Sequence, residues 1–141
     1  MNDSLAELTR LTLAFRDERD WAQFHNPKDV AISLALEAAE VLELMQWRNG
    51  QALADHVADP AVKEMLADEL SDVMHSVLLL AADNNIDLPA AFMAKMKKNE
   101  LKYPAELVRS KAKKYSEYAQ NLESQTAQPS PQAVTPPQES T

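Results

Sequence analysis

Two stretches decide the fold: PKDVAISLALEAAEVLELMQW, Pro27 to Trp47, and PAVKEMLADELSDVMHSVLLLAAD, Pro60 to Asp83. Both are apolar around most of their circumference and both read as long helices. The first carries Val30, Leu34, Val41 and Met45, the second Val62, Leu66, Val73 and Leu78. Each is interrupted by a pair of acids spaced i, i+3: Glu37 with Glu40, and Glu69 with Asp72. That spacing puts both acids of a pair on one helical face. Carboxylates cost free energy to bury unless something positive meets them. Four of them on two apolar helices point to a hard divalent cation, with Mg²⁺ the usual one.

Start and stop signals bound these helices. Asn26-Pro27 is an N-cap followed by Pro at the first helical position, and Asn49-Gly50 is a stop. Asp59-Pro60 repeats the start, and Asn84-Asn85 end the second stretch. Upstream, Ser4-Leu5-Ala6-Glu7 is a capping box. It opens a helix with Leu5, Leu8, Leu11 and Phe15 on one face that fades near Asp20. Trp21 to His25 (WAQFH) make an aromatic connection. Downstream, Asp87 to Pro89 start a further helix that stops near Lys102, because Pro104 follows. The expected fold is all-α, a four-helix bundle spanning residues 1–118. Residues 119–141 read as a polar, disordered tail rich in Ser, Thr, Gln and Pro.

Composition agrees. The chain has 141 residues, 45% of them apolar, with a single glycine, Gly50. Sheet proteins and Gly-rich phosphate loops need many more glycines. Cysteine is absent, which excludes disulfides, zinc-thiolate sites and Cys nucleophiles. The net charge of −8 speaks against a duplex nucleic-acid partner. No signal peptide or membrane span is visible, so a cytoplasmic protein is the default. Two helices apolar all round need neighbours on all sides, which predicts a homo-oligomer.

The short connection makes the two acid-bearing helices antiparallel neighbours. At 1.5 Å per residue, Glu40 lies about 10 Å back from Trp47, and Glu69 about 12 Å in from Ala61. Those two come level, as do Glu37 and Asp72. Trp47 would share the face of Glu40, about 10 Å along the axis, a fair span from a metal-bound phosphate to a stacked base. Either pair alone is weak evidence, because acids at this spacing are common on solvated faces; Glu43, Glu64 and Asp68 read that way.

Ferritin-like di-iron sites want Glu-x-x-His on two helices. Only Asp72-x-x-His75 is near, without a second copy. An all-carboxylate set favours Mg²⁺ or Mn²⁺, a metal that shares its shell with substrate phosphates. Lys95, Asn99 and Lys102 fall at helical spacing and offer a cationic face for phosphate. Trp21 and Trp47 are candidate walls for a base. His25 reads as a helix-start hydrogen-bonding residue or a substrate contact.

With these pieces in place, the chain resembles the MazG-like all-α nucleoside triphosphate pyrophosphatases, in particular their dCTP pyrophosphatase branch. The matching segments are ERDWAQFHNP (Glu18 to Pro27), the E-x-x-E stretch ending in MQW (Glu37 to Trp47), DELSDV (Asp68 to Val73), DLP (Asp87 to Pro89) and KMKKNELKYP (Lys95 to Pro104). RSKAKKY (Arg109 to Tyr115) is similar to the family's basic ending. The resemblance implies hydrolysis of a (deoxy)nucleoside triphosphate, a pyrimidine such as dCTP, to monophosphate and pyrophosphate. It implies Mg²⁺, with Mn²⁺ able to substitute, held by Glu37, Glu40, Glu69 and Asp72. It places Lys95 and Asn99 at the phosphate and sugar, with Tyr103 in the same motif, and Trp21 and Trp47 at the base. It implies a dimer of dimers and a role in cleansing the nucleotide pool. Two positions depart from the animal dCTP pyrophosphatases: Thr12 stands where they carry a base-pocket His, and Ser76 where they carry a Tyr. The reading from a different class is a non-enzymatic helical scaffold that binds nucleotide or protein.

Overall fold

The computed structural model describes residues 4–109. It forms two compact units, the first running to Ala91 and the second starting at Phe92. All regular structure in the described residues is helical: α1 (Leu5–Asp17), a 3₁₀ turn (Trp21–Phe24), α2 (Pro27–Glu43), α3 (Gly50–Ala58), α4 (Pro60–Asp83), α5 (Leu88–Lys102) and the short α6 (Ala105–Val108). The all-α expectation holds. The polar tail lies outside the described residues.

The predicted helix starts are made by the predicted residues. Ser4 Oγ accepts from the Glu7 amide. Asn26 Oδ1 accepts from the amides of Lys28 and Asp29, with Pro27 in the first turn. Asp59 accepts from Ala61 and Asp87 from Ala90. Each cap satisfies amides that have no partner inside the helix, and such a cap contributes about 1 kcal/mol.

Two boundaries differ from expectation. Helix α2 stops at Glu43, one turn short of Trp47. Beyond it the Arg48 amide turns to the Met45 carbonyl, and the Leu44 carbonyl is bound instead by His56 Nε2 at 2.9 Å. Trp47 then takes a left-handed φ of 66°, a conformation that ends helices. The second difference is α3 itself. Asn49-Gly50 stops α2 but also opens a nine-residue helix that the sequence reading leaves out.

Helix α4 is the hub of the first unit: α1, α2 and α3 all pack on it, α2 most extensively. The buried apolar side chains among the described residues are Val30 of α2 and Val62, Leu78, Leu79 and Ala81 of α4. Each fully buried Leu or Val contributes about 1.5–3 kcal/mol. An ion pair between Arg16 Nη1 and Asp83 Oδ1, 2.6 Å long, ties the end of α1 to the end of α4. Many large apolar groups stay exposed on the same helices, among them Leu36, Leu42 and Leu70, each more than half accessible. No single helix among the described residues is long and apolar enough to cross a membrane.

Candidate active site

The register of α2 against α4 builds the site. Glu37 and Glu40 of α2 and Glu69 of α4 each offer a carboxylate oxygen, and these oxygens lie within 4.8 Å of one another. One turn away, Glu37 and Asp72 border the same cleft, and beyond them so do Ser33 with Ser76 and Val30 with Leu79. The helices run antiparallel, as the rise per residue predicts. Asp72 stands outside the trio of converging oxygens, but its charge acts on both Glu37 and Glu69.

Crowding shows in the protonation of these acids. Partial burial first, then the charges of Glu40 and Asp72, push the Glu37 carboxyl above its ordinary value, while His75 pulls it back. Glu69 is raised in the same way by desolvation, by the charges of Glu40, Asp72 and Glu37, and by a hydrogen bond with Glu40. Like charges so close are unfavourable until a cation meets them. The donor set is all hard oxygen and half exposed to solvent, which fits a divalent cation of the Mg²⁺ class that keeps some of its waters.

Beside the trio opens a cleft of about 200 Å³. Its walls are Trp21 and His25 from the connection before α2, Ser33 and Glu37 from α2, and His75 and Ser76 from α4. Trp21 packs edge-on against Phe15 at 5.9 Å between centroids, and Phe15 packs edge-on against His75 at the same distance. Arg19 lies over the Phe15 ring at 3.6 Å. The aromatic connection is therefore pinned to α1 and α4. His25 Nδ1 is buried and has no hydrogen-bond partner in the protein.

The model of the MazG-like family matches residues 32–118, more than half of the chain and all four acids. The chain belongs to the MazG-like family. Human dCTP pyrophosphatase 1 is 40% identical over 114 residues, covering 81% of this chain and 67% of the human protein. The rat and mouse dCTP pyrophosphatases 1 are each 38% identical over the same length. Among solved structures, a pyrophosphatase from Archaeoglobus fulgidus superposes with a TM-score of 0.66 at 36% identity, covering 71% of this chain and 92% of that one.

In this MazG-like chain the remaining candidates fall in different places. Trp21 and His25 line the cleft. Trp47 does not share a helical face with Glu40, because α2 has already ended; it sits on the following turn, 91% exposed. Lys95 and Asn99 lie one turn apart on α5, with Tyr103 just past its end and the Lys102 ammonium 5.5 Å from the Tyr103 ring centre. All three belong to the second unit. Ser33 was missed by sequence reasoning, and Ser76 was noted only as a departure from relatives. The register that levels Glu40 with Glu69 also levels Ser33 with Ser76, so extending it one further turn finds both.

Proposed function

We propose that this chain hydrolyses a pyrimidine deoxynucleoside triphosphate, dCTP first among them, to the monophosphate and pyrophosphate, with Mg²⁺ held by Glu37, Glu40, Glu69 and Asp72. That it is a nucleoside triphosphate pyrophosphatase follows from its family and from relatives that carry this activity in their names. The choice of dCTP is supported by the named activity of the mammalian relatives. The observation that carries the metal is the convergence of Glu37, Glu40 and Glu69 within 4.8 Å.

Water attacks the α-phosphorus, the bond from phosphorus to the α–β bridging oxygen breaks, and pyrophosphate leaves. When bound, Mg²⁺ neutralises phosphate charge and lowers the pKa of a bound water. The carboxylates fix where the cation sits. Glu37 and Asp72 also border the cleft, so the walls that would receive the base adjoin the metal ligands. Lys95 and Asn99 offer an ammonium and an amide suited to phosphate and sugar oxygens. Trp21 offers a flat face to a ring. Trp47, on its exposed turn, is a second aromatic contact, and Tyr103 a further polar one.

The exposed leucines of α2 and α4 support a homo-oligomer, because monomers rarely leave so much apolar surface uncovered; a dimer of dimers is the form the family resemblance implies. The same reading places the enzyme in the cytoplasm, acting on the free nucleotide pool rather than on duplex nucleic acid.

The test is direct. The protein is incubated with a panel of nucleoside triphosphates and Mg²⁺, and pyrophosphate is measured. Release from dCTP above the other nucleotides supports the proposal. No product from any nucleotide would favour a non-enzymatic scaffold.

A further inference from the structure

Where α2 ends, two donors compete for one carbonyl. Nothing in Leu44-Met45-Gln46-Trp47-Arg48 opposes a helix, and the first breaker is Asn49-Gly50. A continuing α2 would bond the Arg48 amide to the Leu44 carbonyl, four residues back. Instead the amides of Met45, Gln46 and Arg48 all reach carbonyls three residues back, the tightening that marks a helix end. The Leu44 carbonyl is taken at 2.9 Å by His56 Nε2. A carbonyl only accepts, so Nε2 is the donor.

That donor is well anchored. His56 is partly buried in the last turn of α3, and α3 packs on α4 and leads into it through Asp59. Trp47 bears the consequence. Its φ of 66° is left-handed, which is rare for a bulky side chain, and its ring is 91% exposed. Such a backbone persists only where its surroundings impose it. The bond from His56 is a tertiary tie on this turn, and it occupies the carbonyl that a longer helix would need.

We propose that His56 is a positioning residue: its bond to the Leu44 carbonyl ends α2 at Glu43 and holds Trp47 on the turn. Without that bond the Arg48 amide takes the carbonyl and α2 runs on through Trp47. The indole then moves to the face of Glu40, about two helical turns along. Glu37 and Glu40 lie upstream of the break and keep their places. The consequence for substrate rests on the reading given under Proposed function, in which Trp47 on its exposed turn contacts the base. The consequence for the backbone does not.

The experiment compares wild type, His56→Leu and His56→Gln, each checked for folding by thermal melt. Leu fills the site without a donor, and the Gln amide donates from near the position of Nε2. NMR of labelled protein reads the φ of Trp47 from its backbone couplings and shifts. It should be positive in wild type and His56→Gln and helical in His56→Leu. A Trp47 that stays left-handed in His56→Leu, or a turn that melts rather than joining the helix, overturns the proposal.

Kinetics give the second readout. The KM for dCTP should rise about fivefold in His56→Leu, as for one lost aromatic contact, with kcat within about twofold of wild type, and return in His56→Gln. In a Trp47→Gly background, His56→Leu should raise KM no further, because both changes act through one ring. An unchanged KM in His56→Leu, or an equal rise with Trp47 already removed, overturns the positioning role. Should no nucleotide be cleaved while the Trp47 backbone changes as stated, the assigned reaction falls and the placement of Trp47 by His56 stands.

Discussion

The two ends of the α2/α4 interface follow one register and do opposite things. At one end Glu37, Glu40 and Glu69 converge, with Asp72 close enough to raise two of them. At the other end Val30 and Leu79 stand level at the far side of the cleft, and both are buried, as is Leu78. The apolar end supplies stability through burial. The acidic end gives some of it back, because crowded like charges disfavour the folded state until a cation arrives. On the proposed function, chemistry belongs to the electrostatically strained end, and the buried apolar side chains of the other end hold it in place.

Removing a ligand from the acidic end has the largest expected effect. Glu69→Gln should lower the kcat for pyrophosphate release by about 10³-fold or more, since several kcal/mol of transition-state stabilisation depend on the metal. The same variant should melt no lower than wild type without Mg²⁺, because it relieves repulsion. A large drop in melting temperature would show that this end is structural after all.

At the apolar end the expectation reverses. Leu78→Ala should lower stability by about 2–5 kcal/mol, read by urea unfolding. Activity per folded molecule should change little. A loss of activity without a loss of stability would blur the division between the ends.

Proton binding sharpens the comparison further. Glu37 and Glu69 have carboxyls raised in the folded protein above the ordinary value of 4.5. Between that value and the raised one, the folded state holds more protons than the unfolded chain. Their contribution is therefore most favourable at the acid side of that window, and stability falls as pH rises through it. Glu7 and Asp29, whose carboxyls are lowered, act in the opposite sense. Comparing wild type with Glu37→Gln/Glu69→Gln isolates the acidic pair: without metal, the wild type should lose more stability across the window than the variant. Adding Mg²⁺ should remove the difference, since metal and proton compete for the same oxygens.

Much of this was legible from local pattern. Ser4, Asn26, Asp59 and Asp87 cap the helices they were expected to cap, because capping depends on a few adjacent residues. The level pairing of Glu40 with Glu69 follows from helix rise and a short connection. Which oxygens converge was not legible: rotamers bring three together and leave Asp72 to one side, and spacing does not determine rotamers. The early end of α2 was hidden for a different reason. The Leu44 carbonyl is taken by His56, twelve residues on, a tertiary contact that no window around Trp47 contains. Reading Asn49-Gly50 only as a stop obscured α3, which that dipeptide also begins.

The smallest predicted effect lies on that turn. Trp47 holds a left-handed φ that glycine adopts freely. Trp47→Gly should gain about 1 kcal/mol of stability, seen by urea unfolding, while raising the KM for substrate if the exposed ring contacts the base. A gain in stability with an unchanged KM would remove Trp47 from the substrate contacts.

On the proposed function, the converging carboxylates hold the metal on which cleavage depends. Pyrophosphate release from dCTP, followed against Mg²⁺ concentration for wild type and a folded Glu40→Ala variant, tests it most directly. Wild type should show saturable Mg²⁺ dependence and no activity in chelator, and the variant a flat baseline. Full Mg²⁺-dependent activity in folded Glu40→Ala, or undiminished wild-type activity in chelator, would contradict it.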